Sequence, residues 1–174
     1  SIAGSSIGAL VGGIYAAGEL ETYTNWVKAL RQVDVLRLLD FSFGKGGLLK
    51  RERIIDTLKE LVGDREIEEL GVSFTAVATS VEDDKEIWLN QGSLFSAIRA
   101  SIAIPTMFSP AIYKGRTLLD GSLINPIPIA PTLRDKTDMT IAVNLSAKSD
   151  PFYAGREPMP EMEQEASSHQ QRVH

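Results

Sequence analysis

Hydrophobic and polar residues follow a helical period in the first third of the chain. Small and apolar residues run through 7–17, which predicts a buried helix that ends at Gly18. A second helix is predicted over 20–30. Apolar side chains fall on one face of the segment 50–62, and this period predicts an amphipathic helix that Gly63 closes.

The middle of the chain changes to a pattern that is typical of strands. The segment 72–81 is rich in β-branched residues and apolar enough for a buried strand, and 85–90 is expected to pair with it. A short helix with an N-cap serine is predicted over 93–101, and a hairpin is predicted to turn at 114–116. The continuous apolar character of 139–145 predicts a central strand. Helices that alternate with strands favour an α/β sheet.

Two stretches lack a strong period. A short amphipathic turn or helix is predicted at 35–39, with Asp34 as a candidate N-cap. After Ala147 the composition shifts to Pro, Glu, Gln, Ser and Met without an apolar period. We therefore predict one domain over 1–147 and a disordered polar linker or tail over 148–174.

The most distinctive local sequence is Gly4-Ser5-Ser6-Ile7-Gly8, which has the form G-x-S-x-G and is followed at once by the first predicted helix. This pattern is typical of a nucleophile elbow, in which a serine sits on a sharp strand-to-helix turn. The strained backbone leaves no room for side chains two residues to either side, which explains both glycines. The helix directs its free N–H groups at a forming oxyanion, and the Ile7 amide is the nearest donor. The alternative is a Gly/Ser loop before a helix that packs closely on a sheet.

The apolar, glycine-rich beginning of the chain has three other interpretations: a signal peptide, a membrane span and a phosphate-binding loop. A signal peptide needs a basic region before its apolar core, and no Lys or Arg precedes Lys28. A membrane span needs ~20 mainly apolar residues, whereas this run contains serines and several glycines. A phosphate-binding loop would end in G-K-[ST] or show G-x-G-x-x-G, and neither form is present here. These observations favour the elbow.

Composition and charge exclude several classes of function. The 174 residues fit one domain, and 43% hydrophobic residues suffice for a core. The net charge of −5 argues against nucleic acid as the main partner. The chain has no cysteine, which excludes disulfides, thiol catalysis and thiolate metal sites and fits a cytoplasmic location. No His, Asp and Glu residues cluster at ligand spacing, so we expect neither a metal nor a cofactor.

Three sequence blocks occur in one order: the G-x-S-x-G motif at 4–8, "ASIAIPTMFSP" at 100–110, and "DGS" at 120–122 followed by "LINPIPI". Together they resemble the bacterial branch of the patatin-like phospholipase family, which consists of serine lipid acyl hydrolases. The resemblance covers the chain from Ser1 to about Ala147. The family's Ala-Ser-x-x-x-Pro-x-x-Phe block is matched at Ala100, Ser101, Pro105 and Phe108.

The resemblance implies an α/β fold, a patatin-like three-layer sandwich with a mainly parallel central sheet. It also implies a Ser–Asp dyad, with Ser6 as the nucleophile and Asp120 as the general base, followed by Gly121 of the Asp-Gly pair. Both histidines, His169 and His174, lie in the polar tail, where a frayed terminus could not hold a triad histidine against the serine. Taken without the other blocks, the Asp-Gly pair would be interpreted as an Asx or hairpin turn.

The resemblance also implies a reaction and a substrate class. The expected reaction is hydrolysis of an acyl ester or phospholipid through an acyl-enzyme on Ser6, with neither metal nor cofactor. Peripheral contact with a membrane and self-association both remain open. An inactive lipid-binding or regulatory module of the same fold is the alternative. Four apolar residues of the second block are candidates for an acyl pocket or, alternatively, for core packing: Ile102, Ile104, Met107 and Phe108.

The chain departs from the family pattern at two places. Many relatives have glycine or alanine where this chain has Ser122, a small side chain that we expect to fit. The family's oxyanion hole comes from a glycine-rich loop with a basic residue before the nucleophile strand, and the sequence does not contain this loop. We therefore expect the first strand, this loop, the first helix and most of the nucleophile strand of the domain to be missing here. That loss would leave a sheet edge open and favour self-association.

Overall fold

A computed structural model of the protein describes residues 1–30 and 47–146, except for the side chains of 47–53. Residues Ser1–Asn144 form one compact unit. The described α-helices are α1 (Ile7–Ala16), α2 (Leu20–Ala29), α3 (Gly47–Val62) and α4 (Leu94–Ser101). The described strands are β1 (Ile2–Ser5), β2 (Phe74–Ser80), β3 (Lys85–Leu89), β4 (Ala111–Tyr113) and β5 (Arg116–Asp120). None of these helices has the length and apolar character needed to cross a bilayer.

The strands form one sheet, and the predicted α/β class is confirmed. β1 pairs with β2 in the parallel sense that the resemblance led us to expect. The other pairs among the described strands, β2 with β3, β2 with β5 and β4 with β5, are antiparallel. The sheet is therefore mixed, with β2 at its centre.

β1 and β5 share one edge of β2. β1 pairs with 74–77 of β2, and β5 pairs with 78–80. β3 pairs with 76–80, a range that includes residues paired with β1 and residues paired with β5. β3 therefore lies along the opposite edge of β2 from both strands. Because a strand has only two edges, β1 and β5 follow one another along the remaining edge. Their carboxyl ends meet there, with Ser5 opposite Val77 and Asp120 opposite Ala78.

The core lies where two helices pack against each other and against the sheet. α1 and α4 contact one another, and both contact β2. A Cβ atom at Gly13 of α1 would lie 2.9 Å from Ile98 Cδ1 and 3.1 Å from Phe74 Cζ. Because glycine has no side chain, α1 can approach Ile98 of α4 and Phe74 of β2 closely at this position. The fully buried apolar side chains include Ile14, Leu58, Phe74, Val77, Leu94, Phe95, Ile98 and Leu118.

Most predicted elements are confirmed to within a few residues at their ends. Gly18 follows α1 with φ 78°, and Gly63 follows α3 with φ 80°, as expected for glycines that end helices. Ser93 caps α4, because its Oγ accepts a hydrogen bond of 3.1 Å from the Ser96 amide. The hairpin turns through Lys114 and Gly115, whose φ values are 48° and 77°. Two consecutive positive φ values are the requirement of a two-residue turn.

The predicted central strand at 139–145 is wrong. Within the described part of the chain this segment pairs with no strand, and its apolar side chains stay about three-quarters exposed. A strand forms where a neighbouring edge satisfies its N–H and C=O groups, and propensity alone does not supply such an edge. The short helix predicted at 35–39 and the tail predicted over 148–174 lie outside the described residues, so both stay predictions. The boundary at 147 stays a prediction as well.

Candidate active site

Ser6 lies at the junction of β1 and α1 in a conformation that L-residues rarely adopt. Its φ is 55° and its ψ is −125°. The strand ends at Ser5 and the helix begins at Ile7, so the chain reverses direction at this one residue. Such a conformation costs roughly 1–3 kcal/mol and persists only where the surroundings impose it. The predicted sharp strand-to-helix turn is therefore present, and we call residues 4–8 the elbow.

The two glycines of the elbow differ in what surrounds them. A Cβ atom at Gly4 would collide with the backbone carbonyl of Gly8 and with the Ala9 amide nitrogen. A Cβ atom at Gly8 would meet no atom within 4 Å. The crowding that the motif predicts is thus found at Gly4, whereas the expectation of the same crowding at Gly8 is wrong for the described residues. Gly8 contributes its backbone, against which Gly4 packs.

The strained residue is held by a hydroxyl from a distant part of the chain. The Ser6 amide donates a hydrogen bond of 3.0 Å to Ser101 Oγ, and Ser101 Oγ donates one of 2.6 Å to the Val77 carbonyl. Ser101 is the last residue of α4 and has no exposed surface. This relay connects the elbow, α4 and β2 in one chain of hydrogen bonds.

The other end of α4 is anchored by Asp64. Its carboxylate accepts hydrogen bonds from Ser93 Oγ at 2.8 Å and from the Phe95 amide at 3.2 Å, and Lys59 Nζ lies at 2.8 Å. Burial raises the pKa of Asp64, but the hydrogen bonds from Lys59, Phe95 and Ser93 outweigh burial and bring the pKa below its ordinary value. The helix that carries Ser101 is therefore fixed at both ends.

The Ile7 amide, predicted as the donor nearest to a forming oxyanion, belongs to the residue that directly follows Ser6. It lies at the first position of α1, and no acceptor in the described residues takes its proton. The first bonds of the helix start further on, where the Ala9 and Leu10 amides donate to the Ser6 carbonyl at 2.9 Å and 3.2 Å. An unpaired amide at a helix N-terminus attracts negative charge. The Ile7 amide can therefore serve an anion that forms next to Ser6.

Asp120 ends β5 and is 3% exposed. Its Oδ1 accepts a hydrogen bond of 2.8 Å from the Ser122 amide, whereas Oδ2 is buried and receives no hydrogen bond from the described residues. The Ala103 carbonyl accepts the Asp120 amide proton at 3.0 Å. The Asx turn proposed as an alternative is thus present, but it uses one oxygen only. The other oxygen is left as an open acceptor.

Gly121 is required by space. It has no positive φ, but a Cβ atom there would collide with the Val77 carbonyl and lie 3.1 Å from Ser5 Oγ. A glycine at this position therefore permits close packing on β1 and β2. Ser122 is exposed, so its side chain fits as predicted. We call residues 120–122 the aspartate turn.

Further contacts fix the segment that follows the aspartate turn. Ser5 Oγ donates a hydrogen bond of 2.7 Å to the Asn125 carbonyl. Asn125 Nδ2 donates one of 2.6 Å to Glu86 Oε2, and Trp88 Nε1 donates one of 3.0 Å to Glu86 Oε1. The structure thus brings the elbow and the aspartate turn to one edge of β2 and ties both to β3.

Sequence reasoning missed the roles of Ser101 and Asn125. Ser101 stood out only as a member of the Ala-Ser block, and nothing local to its sequence shows that its hydroxyl meets the elbow.

Of the suggested acyl-pocket residues, Ile102 is buried in the core and Phe108 packs against the core, which favours the alternative of core packing for these two. Both histidines lie outside the described residues.

A serine on a strained strand-to-helix turn in an α/β fold is typical of α/β proteins that have a nucleophile elbow. Comparison with known families gives the particular family. The family model described as Patatin-like phospholipase matches residues 1–133. The chain belongs to the patatin-like phospholipase family.

The chain is similar to curated proteins from several organisms. It is 47% identical over 145 residues to an uncharacterized NTE family protein of Mycobacterium tuberculosis, a match that covers 83% of the chain and 40% of that protein. It is 25% identical to patatin-like phospholipase domain-containing protein 6 of Homo sapiens, over 86% of the chain and 11% of that protein. It is also 25% identical to lysophospholipase nte1 of Emericella nidulans, over 86% of the chain and 10% of that protein. The chain thus spans less than half the length of these relatives.

Proposed function

We propose that the chain carries the catalytic residues of a serine hydrolase that cleaves the acyl ester bonds of lipids. The observation that supports this proposal is the sheet register, which puts the strand end before the strained Ser6 opposite Val77 and the buried Asp120 opposite the next residue of β2, Ala78. Membership of the patatin-like phospholipase family supports a lipid as the substrate class. A relative described as a lysophospholipase supports it as well.

The proposed reaction begins with proton transfer. Asp120 Oδ2 accepts the proton of the Ser6 hydroxyl, and Ser6 Oγ attacks the ester carbonyl. The tetrahedral intermediate collapses to an acyl-serine, and the alcohol or lysophospholipid leaves with the proton from Asp120. Water then attacks the acyl-serine, again with Asp120 as the base. The fatty acid is released and Ser6 regains its proton.

The Ile7 amide stabilises the oxyanion in this proposal. Its N–H has no acceptor among the residues that the structure describes, it stands at the positive end of α1, and it follows Ser6 directly. A tetrahedral oxyanion ordinarily receives more than one hydrogen bond, and the family's glycine-rich loop would supply the others. Removing one such donor typically costs about 10²–10³ in rate.

The surroundings of the elbow support an apolar substrate. Ile7 and Val11 stand one helical turn apart on α1, and their side chains are 48% and 38% exposed. Leu123, next to the aspartate turn, is 56% exposed. Ile7 directly follows Ser6, and in this proposal the three exposed side chains bind an acyl chain or make peripheral contact with a membrane. We propose a cytoplasmic protein on the absence of cysteine.

Covalent labelling tests the proposed nucleophile. A fluorophosphonate probe should modify the intact protein at one residue, and peptide mass spectrometry should identify that residue as Ser6. Ser6→Ala should abolish labelling and the release of fatty acid from lysophosphatidylcholine. Ser5→Ala is the matched control, since Ser5 is the neighbouring serine and its hydroxyl is occupied by the Asn125 carbonyl. Labelling that survives Ser6→Ala would disprove the assignment.

The same experiment separates the enzyme from an inactive lipid-binding module. An inactive module would bind lysophosphatidylcholine in a sedimentation assay with vesicles, but neither label with the probe nor release fatty acid. Labelling together with turnover excludes that alternative. Sedimentation velocity of the same sample tests self-association.

A further inference from the structure

We propose that Ser101 is a positioning residue for the nucleophile, an inference that rests on the proposed function of Ser6. Within the described part of the chain, the Ser101 hydroxyl is hydrogen-bonded to two backbone groups and to neither side chain of the candidate dyad. Its hydroxyl accepts the Ser6 amide proton at 3.0 Å and donates its own proton to the Val77 carbonyl at 2.6 Å. The hydroxyl thereby uses both its donor and its acceptor capacity to fix the strained residue to β2.

The geometry explains why the amide of Ser6 needs a dedicated partner. Ser6 precedes α1, so its amide has no acceptor within the helix, and β1 already ends at Ser5. A buried amide without an acceptor is costly, and a strained residue would relax unless its surroundings held it. Ser101 supplies both the acceptor and the restraint. The Ser6 backbone in turn sets the direction of the next N–H, which belongs to Ile7.

Ser101 also connects the two halves of the candidate dyad. Two residues after it, the Ala103 carbonyl accepts the Asp120 amide proton at 3.0 Å. The Val77 carbonyl that Ser101 binds is the atom against which Gly121 packs. One short segment at the end of α4 therefore determines the position of Ser6 on one side and of Asp120 on the other. A shift of about 1 Å between such groups can lower the rate about 100-fold.

The chain offers a matched control for this hydroxyl. Ser80, like Ser101, is a serine with no exposed surface, and its Oγ also makes hydrogen bonds. It lies at the carboxyl end of β2, three positions after Val77, where its partners are in the acidic turn at Glu82 and Asp83. Ser101→Ala and Ser80→Ala therefore remove the same atom from equally buried sites, and only the first contacts the elbow.

The test compares these variants in the intact protein by labelling rate, kcat and KM. We expect Ser101→Ala to lower the fluorophosphonate labelling rate and kcat about 10- to 100-fold with little change in KM, and Ser80→Ala to change both rates less than about twofold. Ser101→Thr and Ser101→Val add the same volume, but only the first keeps the hydroxyl. We expect Ser101→Thr to be the faster of the two. Equal rates for this pair, or equal losses in the two alanine variants, would overturn the proposal.

Hydrogen exchange of the Ser6 amide gives a readout that does not depend on catalysis. We expect this amide to be protected in the wild-type protein and in Ser80→Ala, and to exchange faster in Ser101→Ala. If the wild-type protein neither labels nor turns over, the proposed function fails, and this measurement alone decides the positioning role. Unchanged protection of the Ser6 amide in Ser101→Ala would overturn that role.

Discussion

The elbow and the aspartate turn meet at one edge of β2, but they hold their chemical groups in opposite ways. At the elbow the backbone is strained, with φ 55° at Ser6, and the amide of this residue is hydrogen-bonded to Ser101. At the aspartate turn the backbone is relaxed, with φ −51° at Asp120, while a buried carboxylate oxygen has no hydrogen bond from the described residues. The cost in stability at the elbow is backbone strain, whereas the cost at the aspartate turn is the burial of an acceptor that has no hydrogen bond within the described residues. We therefore expect substitutions near the elbow to change stability or the geometry of Ser6, and a substitution of Asp120 to change the reaction rate while the fold is kept.

The largest effect is expected at the carboxylate. Asp120→Asn keeps an oxygen for the Ser122 amide but replaces the open acceptor with an amide group. If Asp120 is the general base, turnover should fall about 10²–10⁴-fold while the midpoint of thermal unfolding changes little.

Asp83→Asn is the matched control for this change. Asp83 lies beyond the carboxyl end of β2, where it pairs with Arg116 at the surface. Ester hydrolysis and thermal unfolding of both variants should be measured side by side. Wild-type turnover in Asp120→Asn would mean that this residue only shapes the turn.

The next effect concerns stability and distinguishes the two glycines of the elbow. Gly4→Ala should lower the free energy of unfolding by about 1–3 kcal/mol, because the added methyl group meets the backbone of Gly8 and Ala9. Gly8→Ala should be neutral or stabilise the fold by up to about 1 kcal/mol, since Gly8 lies in α1 and has open space around it. Urea unfolding of both variants checks this difference. Equal losses would show that the two positions are crowded alike.

The smallest effect is a pH dependence at the start of α4. The pKa of Asp64 in the folded protein lies below the ordinary value of 3.8. Its contribution to stability is therefore complete above pH 3.8 and is lost as the pH falls through the folded-state pKa. Asp64→Asn should lower stability at neutral pH, and the difference from the wild type should shrink below pH 3.8.

Labelling of Ser6 at pH 7 tests whether the start of α4 matters to the elbow. In Asp64→Asn we expect less than about a twofold change in the labelling rate, because Ser101 at the other end of the helix keeps its partners. A larger loss would mean that the elbow depends on the whole helix. A stability difference that grows as the pH falls would contradict the assigned direction of the pKa.

The sequence predicted those parts of the molecule that depend on local chemistry. Helix-ending glycines at Gly18 and Gly63, the cap at Ser93 and the hairpin turn were all predicted, because each requires a residue type at a fixed place. The elbow was predicted for the same reason. The motif fixes a conformation within a few residues of the chain.

Features that depend on distant partners could not be predicted from local sequence. The segment 139–145 has the composition of a strand, but within the described residues no sheet edge receives it. The hydroxyl of Ser101 meets an amide 95 positions away, and the motif rule did not show that Gly4 is crowded while Gly8 is not. The dyad of Ser6 and Asp120 came from the resemblance to a family, and its catalytic role stays a prediction.

The contacts of the elbow come from widely separated parts of the chain, and this has a consequence for folding. Ser5 meets the Asn125 carbonyl across 120 positions, and β1 pairs in parallel with β2. Such long-range contacts form late and slowly, because chain entropy must be lost before they form. A probe that reacts with Ser6 only on its finished turn would therefore count completely folded molecules. Time-resolved labelling during refolding would then report the last step of assembly.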